Sequence, residues 1–270
     1  MRISFTKMNG AGNDFILIDN RHQNLTLNPG HIARMCDRHA GVGADGLMLL
    51  EINKKGNADW SWKFYNSDGS DAEMCGNGAR CFAAFTRSLA GGGGGLSFET
   101  LAGIISASFD EARVTVNLTP PGPMSLDAKL EVDGQTLSVH SINTGVPHAV
   151  VFVPDADQAM VRELGAGVRY HAHFSPRGTN VNFVQILEPG HIRVRTYERG
   201  VEGETLACGT GVSAAAMVAA RLHGFKSPVT VQVQSGDQLQ VSFVEQDGRF
   251  SDVRLAGPAD FVFTGEIELD

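Results

Sequence analysis

The chain has 270 residues, 42% of them hydrophobic and 19% charged, with a formal net charge of −8 at pH 7. That composition fits an ordinary globular protein of one large or two ordinary domains. The acidic balance, with no run of Lys or Arg, argues against a nucleic-acid or anionic-membrane binder.

No window approaches the roughly 18 apolar residues that a membrane span requires. The opening "MRISFTKMNGAGNDF" lacks the continuous apolar core of a secretion signal. Four cysteines, Cys36, Cys75, Cys81 and Cys208, are too sparse for a disulfide scaffold, so free thiols in a cytoplasmic enzyme are expected.

In chain order, "FILID" (15–19) reads as a strand, followed by a helix over 29–39 that opens on Pro29, a residue suited to a first helical turn. Strands follow at 47–52 and 60–65, then a helix over 76–89. The run Gly91 to Gly95 reads as a flexible loop, and strands follow at 104–109 and 113–118. The Pro-rich "TPPGP" (119–123) reads as a junction. Beyond it come a strand at 148–153, a short helical stretch at 156–165, and strands at 181–187 and 192–198. An alanine-rich helix over 209–224 ends on Gly224, with Pro228 beyond it. Strands at 229–235 and 239–245 follow. The many short β-branched or alternating segments predict curved, mostly antiparallel sheets.

The order of elements repeats. A Gly/Asn-rich turn, a strand, a helix, more strands, a polar turn ("YNSDG", "YERG") and a cysteine-led helix occur twice. This reads as a diverged internal duplication of one strand-rich unit wrapped around one helix. The expected fold class is mixed α/β (α+β) in two pseudo-symmetric domains. The first spans 1–120, completed by a C-terminal strand at 261–270, and the second spans 121–260. Gly41-Val42-Gly43-Ala44-Asp45-Gly46 fits the dinucleotide fingerprint G-x-G-x-x-G. It follows a helix and opens a strand, the reverse of the order that motif needs, so no dinucleotide site is expected.

The chemistry concentrates in "MCGNGARC" (74–81) and "ACGTG" (207–211). In each, a cysteine precedes Gly-x-Gly at a helix start. The first N–H groups of a helix lack intrahelical partners, and with the helix dipole they favour an anion. The backbone of Gly76-Asn77 and of Gly209-Thr210 can therefore hold a carboxylate, and the same field favours the thiolates of Cys75 and Cys208. Two such cysteines suit stereoinversion, in which one thiolate removes a Cα hydrogen and an opposed thiol reprotonates the carbon. The helix termini would stabilise the enolate-like charge. No lysine stands in a pyridoxal-phosphate context, so a cofactor-free racemase or epimerase is expected. Cys36 and Cys81 read as buried and inert. His171-Ala172-His173 reads as a surface loop without a metal.

Together "KMNGAGNDF" (7–15), "YNSDGSDAEMCGNGARC" (65–81), "GTNVNF" (178–183) and "YERGVEGETLACGTG" (197–211) resemble the diaminopimelate epimerase family from end to end. The resemblance implies two domains, each a β-barrel-like sheet around a central helix, with substrate in the cleft between them. It implies conversion of LL-diaminopimelate to the meso form, for lysine and peptidoglycan synthesis, without pyridoxal phosphate or metal. It implies a homodimer as well. By motif match Cys75 and Cys208 are the acid/base pair, and His148 and Glu198 orient or polarise them. Asn13, Asn66, Asn180, Glu198 and Arg199 contact substrate, and the backbone of Gly76-Asn77 and Gly209-Thr210 holds its reacting carboxylate. The chain departs from the family at Val146, where many members have asparagine in "GNPH", and at Gly46, where some carry glutamine. Asn143 or Asn182 are candidate substitutes for the lost contact. Two other readings are a racemase of another amino acid and a non-catalytic small-molecule binding protein of the same fold.

Overall fold

Short β-branched and aromatic runs separated by polar turns give the first unit its strands. The computed structural model describes residues 1–91, 94–110 and 113–269, so the centre of the glycine run expected as a loop lies outside the described residues. The chain forms two units, Met1–Val116 with Gly257–Asp270, and Asn117–Ala256. The first contains β1 (Arg2–Gly10), β2 (Asn13–Asp19), α1 (Pro29–Cys36), β3 (Gly46–Ile52) and β4 (Trp60–Asn66). It continues with α2 (Gly76–Ala90), β5 (Leu96–Thr100), β6 (Gly103–Asp110) and β7 (Arg113–Asn117).

The second unit opens with β8 (Ser125–Val132), β9 (Gln135–Asn143), β10 (Pro147–Phe152), α3 (Val161–Arg169) and β11 (Asn180–Glu188). It proceeds through β12 (His191–Glu198), β13 (Gly203–Thr205), α4 (Gly209–His223), β14 (Val229–Gln232), β15 (Gln238–Gln246) and β16 (Arg249–Gly257). The last strand, β17 (Asp260–Glu268), runs antiparallel to β1.

The succession of pairings is the same in both units. β1 and β2 are antiparallel, β2 and β3 parallel, β3 and β4 antiparallel, β4 and β5 parallel, and β5 and β6 antiparallel. In the second unit β9–β10, β10–β11, β11–β12, β12–β14 and β14–β15 follow the same alternation. Pairing is mostly antiparallel, and each of these parallel pairs has a helix between its strands, because parallel neighbours need a crossover connection. α2 and α4 therefore occupy the same step of the repeated path.

Each unit buries its helices against its sheet. On one side of β2, Ile16 and Ile18 pack with Ile32, Met35 and Cys36 of α1 and with Leu47 and Leu49 of β3. Strand alternation sends Phe15 and Leu17 to the other face, where Phe15 meets Phe64 edge-on at 6.1 Å. On α2, Phe82 sits 5.5 Å from the Trp62 ring and 4.8 Å from Phe98. α4 is buried continuously from Gly211 to Ala220, as expected of a small-residue helix that is apolar on every side. Gly224 closes it in the left-handed conformation at φ 69°.

Three boundaries differ from the sequence reading. α1 stops at Cys36 rather than 39 because Asp37 turns out of the helix and its Oδ1 accepts from the N–H groups of His39 and Ala40. α3 begins at Val161, not 156, because Arg195 draws the carbonyls of Ala156, Asp157 and Ala159 onto its guanidinium. β14 ends at Gln232 because Val233 accepts from Gly236 and donates to Asp237, forming a turn.

Candidate active site

Cys75 is the N-cap of α2, in an extended conformation (φ −143°, ψ 119°), and its Sγ accepts from the Gly78 N–H at 3.4 Å. A backbone donor on sulfur favours thiolate, as does the positive end of the helix. Cys208 is the N-cap of α4 in the same extended region (φ −122°, ψ 105°), with Sγ 3.5 Å from the Thr210 hydroxyl. Each unit thus places one cysteine at the start of its enclosed helix.

The second glycine of each Cys-Gly-x-Gly is a packing requirement. A Cβ on Gly78 would lie 2.3 Å from the Met48 methyl, and one on Gly211 would lie 2.3 Å from Asn182 Oδ1 and 3.3 Å from the His148 ring. Only without side chains there can the helix starts descend onto the strands beneath them.

In the first unit a directed chain of polar groups runs away from the helix start. Arg80, fully buried, donates to the carbonyls of Gly76 and Pro258 and to Asn77 Oδ1 (3.1 Å). Asn77 Nδ2 donates to Asn13 Oδ1 at 2.6 Å, and Asn13 Nδ2 donates to Asp45 at 2.9 Å. Arg38 bridges Asp45 to Asp14, and Lys7 pairs with Asp14 at 2.7 Å while donating to the Gly43 carbonyl. Burial alone would raise the Asp14 carboxyl. Hydrogen bonds and charge from Arg38 and Lys7 outweigh it and hold the group down to about 2. Asn13 is thereby fixed in orientation at the head of β2.

In the second unit His148 of β10 lies fully buried between α4 and β11. Its Nε2 is 2.9 Å from Thr210 Oγ1, and its Nδ1 is 3.2 Å from Asn182 Nδ2. Burial, reinforced by the Arg199 charge, pushes the imidazole down to about 3, so it is neutral at physiological pH. It bears on Cys208 through Thr210. Asn180 Oδ1 accepts from the Arg199 N–H at 2.8 Å and its Nδ2 donates to the Pro147 carbonyl at 3.1 Å, tying the end of β12 to the start of β10. Arg199 Nη1 donates to the Arg177 carbonyl. Glu198 accepts from Thr205 at 2.9 Å. Asn66 is exposed at the end of β4 and donates to Ser70 Oγ at 3.0 Å.

Several residues stand apart from these clusters. Cys36 and Cys81 are buried, and burial pushes both thiols up to about 12. His171 accepts from the His173 N–H in a single 3-10 turn. Asn182 cannot replace the polar contact missing at Val146, because its amide is engaged with His148, Ala149 and Thr196. Asn143 Oδ1 accepts from Gly145, and its Nδ2 is the more accessible donor. Gly46 has no room for a longer side chain, since a Cβ would lie 2.7 Å from the Tyr65 carbonyl oxygen.

A family model described as diaminopimelate epimerase matches residues 5–122 and 140–262. The chain belongs to the diaminopimelate epimerase family. It is 44% identical to a diaminopimelate epimerase of Aquifex aeolicus over 277 residues, which covers 98% of each chain. Solved structures share the fold at much lower identity. A PhzF-family phenazine biosynthesis protein of Bacillus anthracis has a TM-score of 0.76 at 15% identity, with both chains fully covered. A probable proline racemase of Agrobacterium radiobacter K84 has a TM-score of 0.72 at 18% identity, covering 99% of this chain and 93% of the other. The chain is thus a diaminopimelate epimerase family member of mixed α/β, mostly antiparallel fold.

Arg80, Asp45 and Asn182 have positions in these networks that the motifs did not single out. A signal existed for Asn182. In "NVNF" the alternation of a strand puts Asn180 and Asn182 on one face and Val181 and Phe183 on the other. Two amides side by side on a buried strand call for specific partners.

Proposed function

We propose that the chain epimerises LL-diaminopimelate to meso-diaminopimelate, with Cys75 and Cys208 acting on opposite faces of one Cα. The observation that carries this reading is the repetition of a cysteine N-cap at the same step of both units. In one direction the thiolate of one cysteine takes the Cα proton, and the C–H electron pair passes into the substrate carboxylate. The thiol of the other then gives its proton to the opposite face, which leaves the pair with exchanged protonation states. The reverse reaction uses the same two groups in exchanged roles.

Each remaining assignment follows from residue chemistry. The backbone N–H groups of Gly76-Asn77 and Gly209-Thr210 hold the carboxylate on which charge develops. Asn13, Asn66, Asn180, Glu198 and Arg199 bind the amino and carboxylate groups at the two ends, Arg199 by a forked contact. Neither pyridoxal phosphate nor a metal takes part in the proposed steps. The chemistry needs reduced thiols, which is the condition of the cytoplasm.

The test is incubation of LL-diaminopimelate in D2O without added cofactor. Formation of the meso isomer with solvent deuterium at Cα is the expected result. Turnover of proline or glutamate with no meso product would replace this reading with a racemase of another amino acid. Failure of every amino acid to exchange its Cα hydrogen would leave a binding protein.

We also infer a homodimer, supported by the exposed apolar run Phe261, Val262 and Phe263 on β17, which association would cover. Light scattering should give twice the 28.8 kDa chain mass. A monomer mass at micromolar concentration would remove this inference.

A further inference from the structure

The polar chain beneath α4 has one consistent direction, and it can be worked out atom by atom. Asn182 Nδ2 donates to the Ala149 carbonyl at 2.9 Å, and a carbonyl only accepts. This fixes the amide, and its Oδ1 takes the Thr196 hydroxyl at 2.9 Å. The second Nδ2 hydrogen points at His148 Nδ1, so Nδ1 is the unprotonated nitrogen. A neutral imidazole carries its one proton on the other nitrogen, so Nε2–H donates to Thr210 Oγ1. The Thr210 hydroxyl, having accepted from His148, has its own hydrogen left for the nearby Cys208 sulfur, 3.5 Å away. A separate bond holds Thr210 in register, as the Thr144 hydroxyl donates to its backbone carbonyl at 2.9 Å.

We propose that Thr210 is a positioning residue whose hydroxyl donates to Cys208 Sγ, oriented by a neutral His148 that Asn182 locks in its Nε2–H tautomer. This rests on the reading of Cys208 as an acid/base group and adds how its thiolate is held. It differs from a thiol–imidazole ion pair, because no proton passes to His148. The charge that acts on His148 is that of Arg199, and it favours the neutral ring as burial does. Gly211 is part of the same device, because any side chain there would displace Asn182.

The proposal predicts that removing the Thr210 hydroxyl makes the Cys208 thiolate harder to form. Loss of one hydrogen bond to the charged form should raise the midpoint by about one pH unit. Thiolate absorbance near 240 nm, titrated in a Cys75→Ala background, reads Cys208 almost alone. Cys36 and Cys81 stay silent there because burial pushes both up to about 12. Adding Thr210→Val should move the midpoint upward, and Thr210→Ser should restore it. Replacing His148 by Gln, which offers an N–H near the Nε2 position, should leave the midpoint closer to the parent than His148→Ala does. A midpoint unchanged by Thr210→Val, in a chain with unaltered circular dichroism, would overturn the proposal. Diaminopimelate turnover by the unsubstituted chain tests the parent reading separately, so either claim can fail without the other.

Discussion

Cys75→Ala and Cys208→Ala should each lower the rate of meso-diaminopimelate formation by about 100- to 10,000-fold, the usual range for loss of one positioned proton-transfer group. Either substitution removes one face of the exchange, so the double variant should be little worse than each single one, as groups that act as a unit behave. The effect on the fold should be small. Cys75 is only half-buried, and replacing an N-cap side chain costs about 1 kcal/mol. Steady-state assays beside thermal melts decide between the two accounts. Loss of activity with a melting temperature lowered by only a few degrees supports catalysis. Equal activity in either single variant would remove that cysteine from the reaction.

The largest stability effect should come from Asp14→Asn. Lys7 is almost wholly buried, and its ammonium is held by the Asp14 carboxylate at 2.7 Å. Removing one partner of such a pair typically costs about 3–5 kcal/mol, because the other charge stays desolvated. Arg38 and Asp45 lie in the same network, so Asn13 should lose its fixed orientation as well.

Asp14 also predicts a pH dependence. Its carboxyl falls from an ordinary 3.8 to about 2 in the folded chain. The unfolded chain therefore binds the proton first as pH falls, and the folded state loses stability. The contribution is complete above about pH 4 and disappears as pH falls through 2. Denaturant melts between pH 5 and 2 should show this slope in the parent and a shallower one in Asp14→Asn. Identical slopes would mean that Asp14 is not held as described.

The repeat was legible in the sequence because its markers are local. A cysteine before Gly-x-Gly at a helix start, or a helix of small apolar residues such as α4, declares itself without knowledge of its neighbours. Strands that alternate clearly, such as β2 and β12, were legible for the same reason. β8 ("SLDAKLEV") and β17 ("DFVFTGEIE") were harder, because exposed faces carry charges in one and apolar residues in the other, which blurs the period of two. The helix at 156–165 was misplaced because Arg195, some 35 residues away in sequence, captures the carbonyls that a helix there would use.

The site divides along the same line. The cysteines and the helix termini belong to short motifs, so their chemistry could be read from spacing. The partners that orient them come from distant strands. His148 looked like a group that would address the cysteines directly. Its surroundings instead make it a neutral link between Asn182 and Thr210, a consequence of burial that no spacing in the sequence expresses. Arg80 likewise looked like one charge on a helix, yet it is fully buried and holds Asn77 from beneath.

The central claim is that two thiols serve the two faces of one carbon. It is tested most directly by reading the D2O incubation of LL-diaminopimelate early, before the isomers equilibrate. With two monoprotic thiols, the removed proton stays with one sulfur while a solvent-derived deuteron is delivered by the other. Deuterium should then appear in the meso product while recovered LL-diaminopimelate remains nearly unlabelled. Deuterium entering recovered substrate as fast as product would mean that one exchangeable base serves both faces, and would contradict the account.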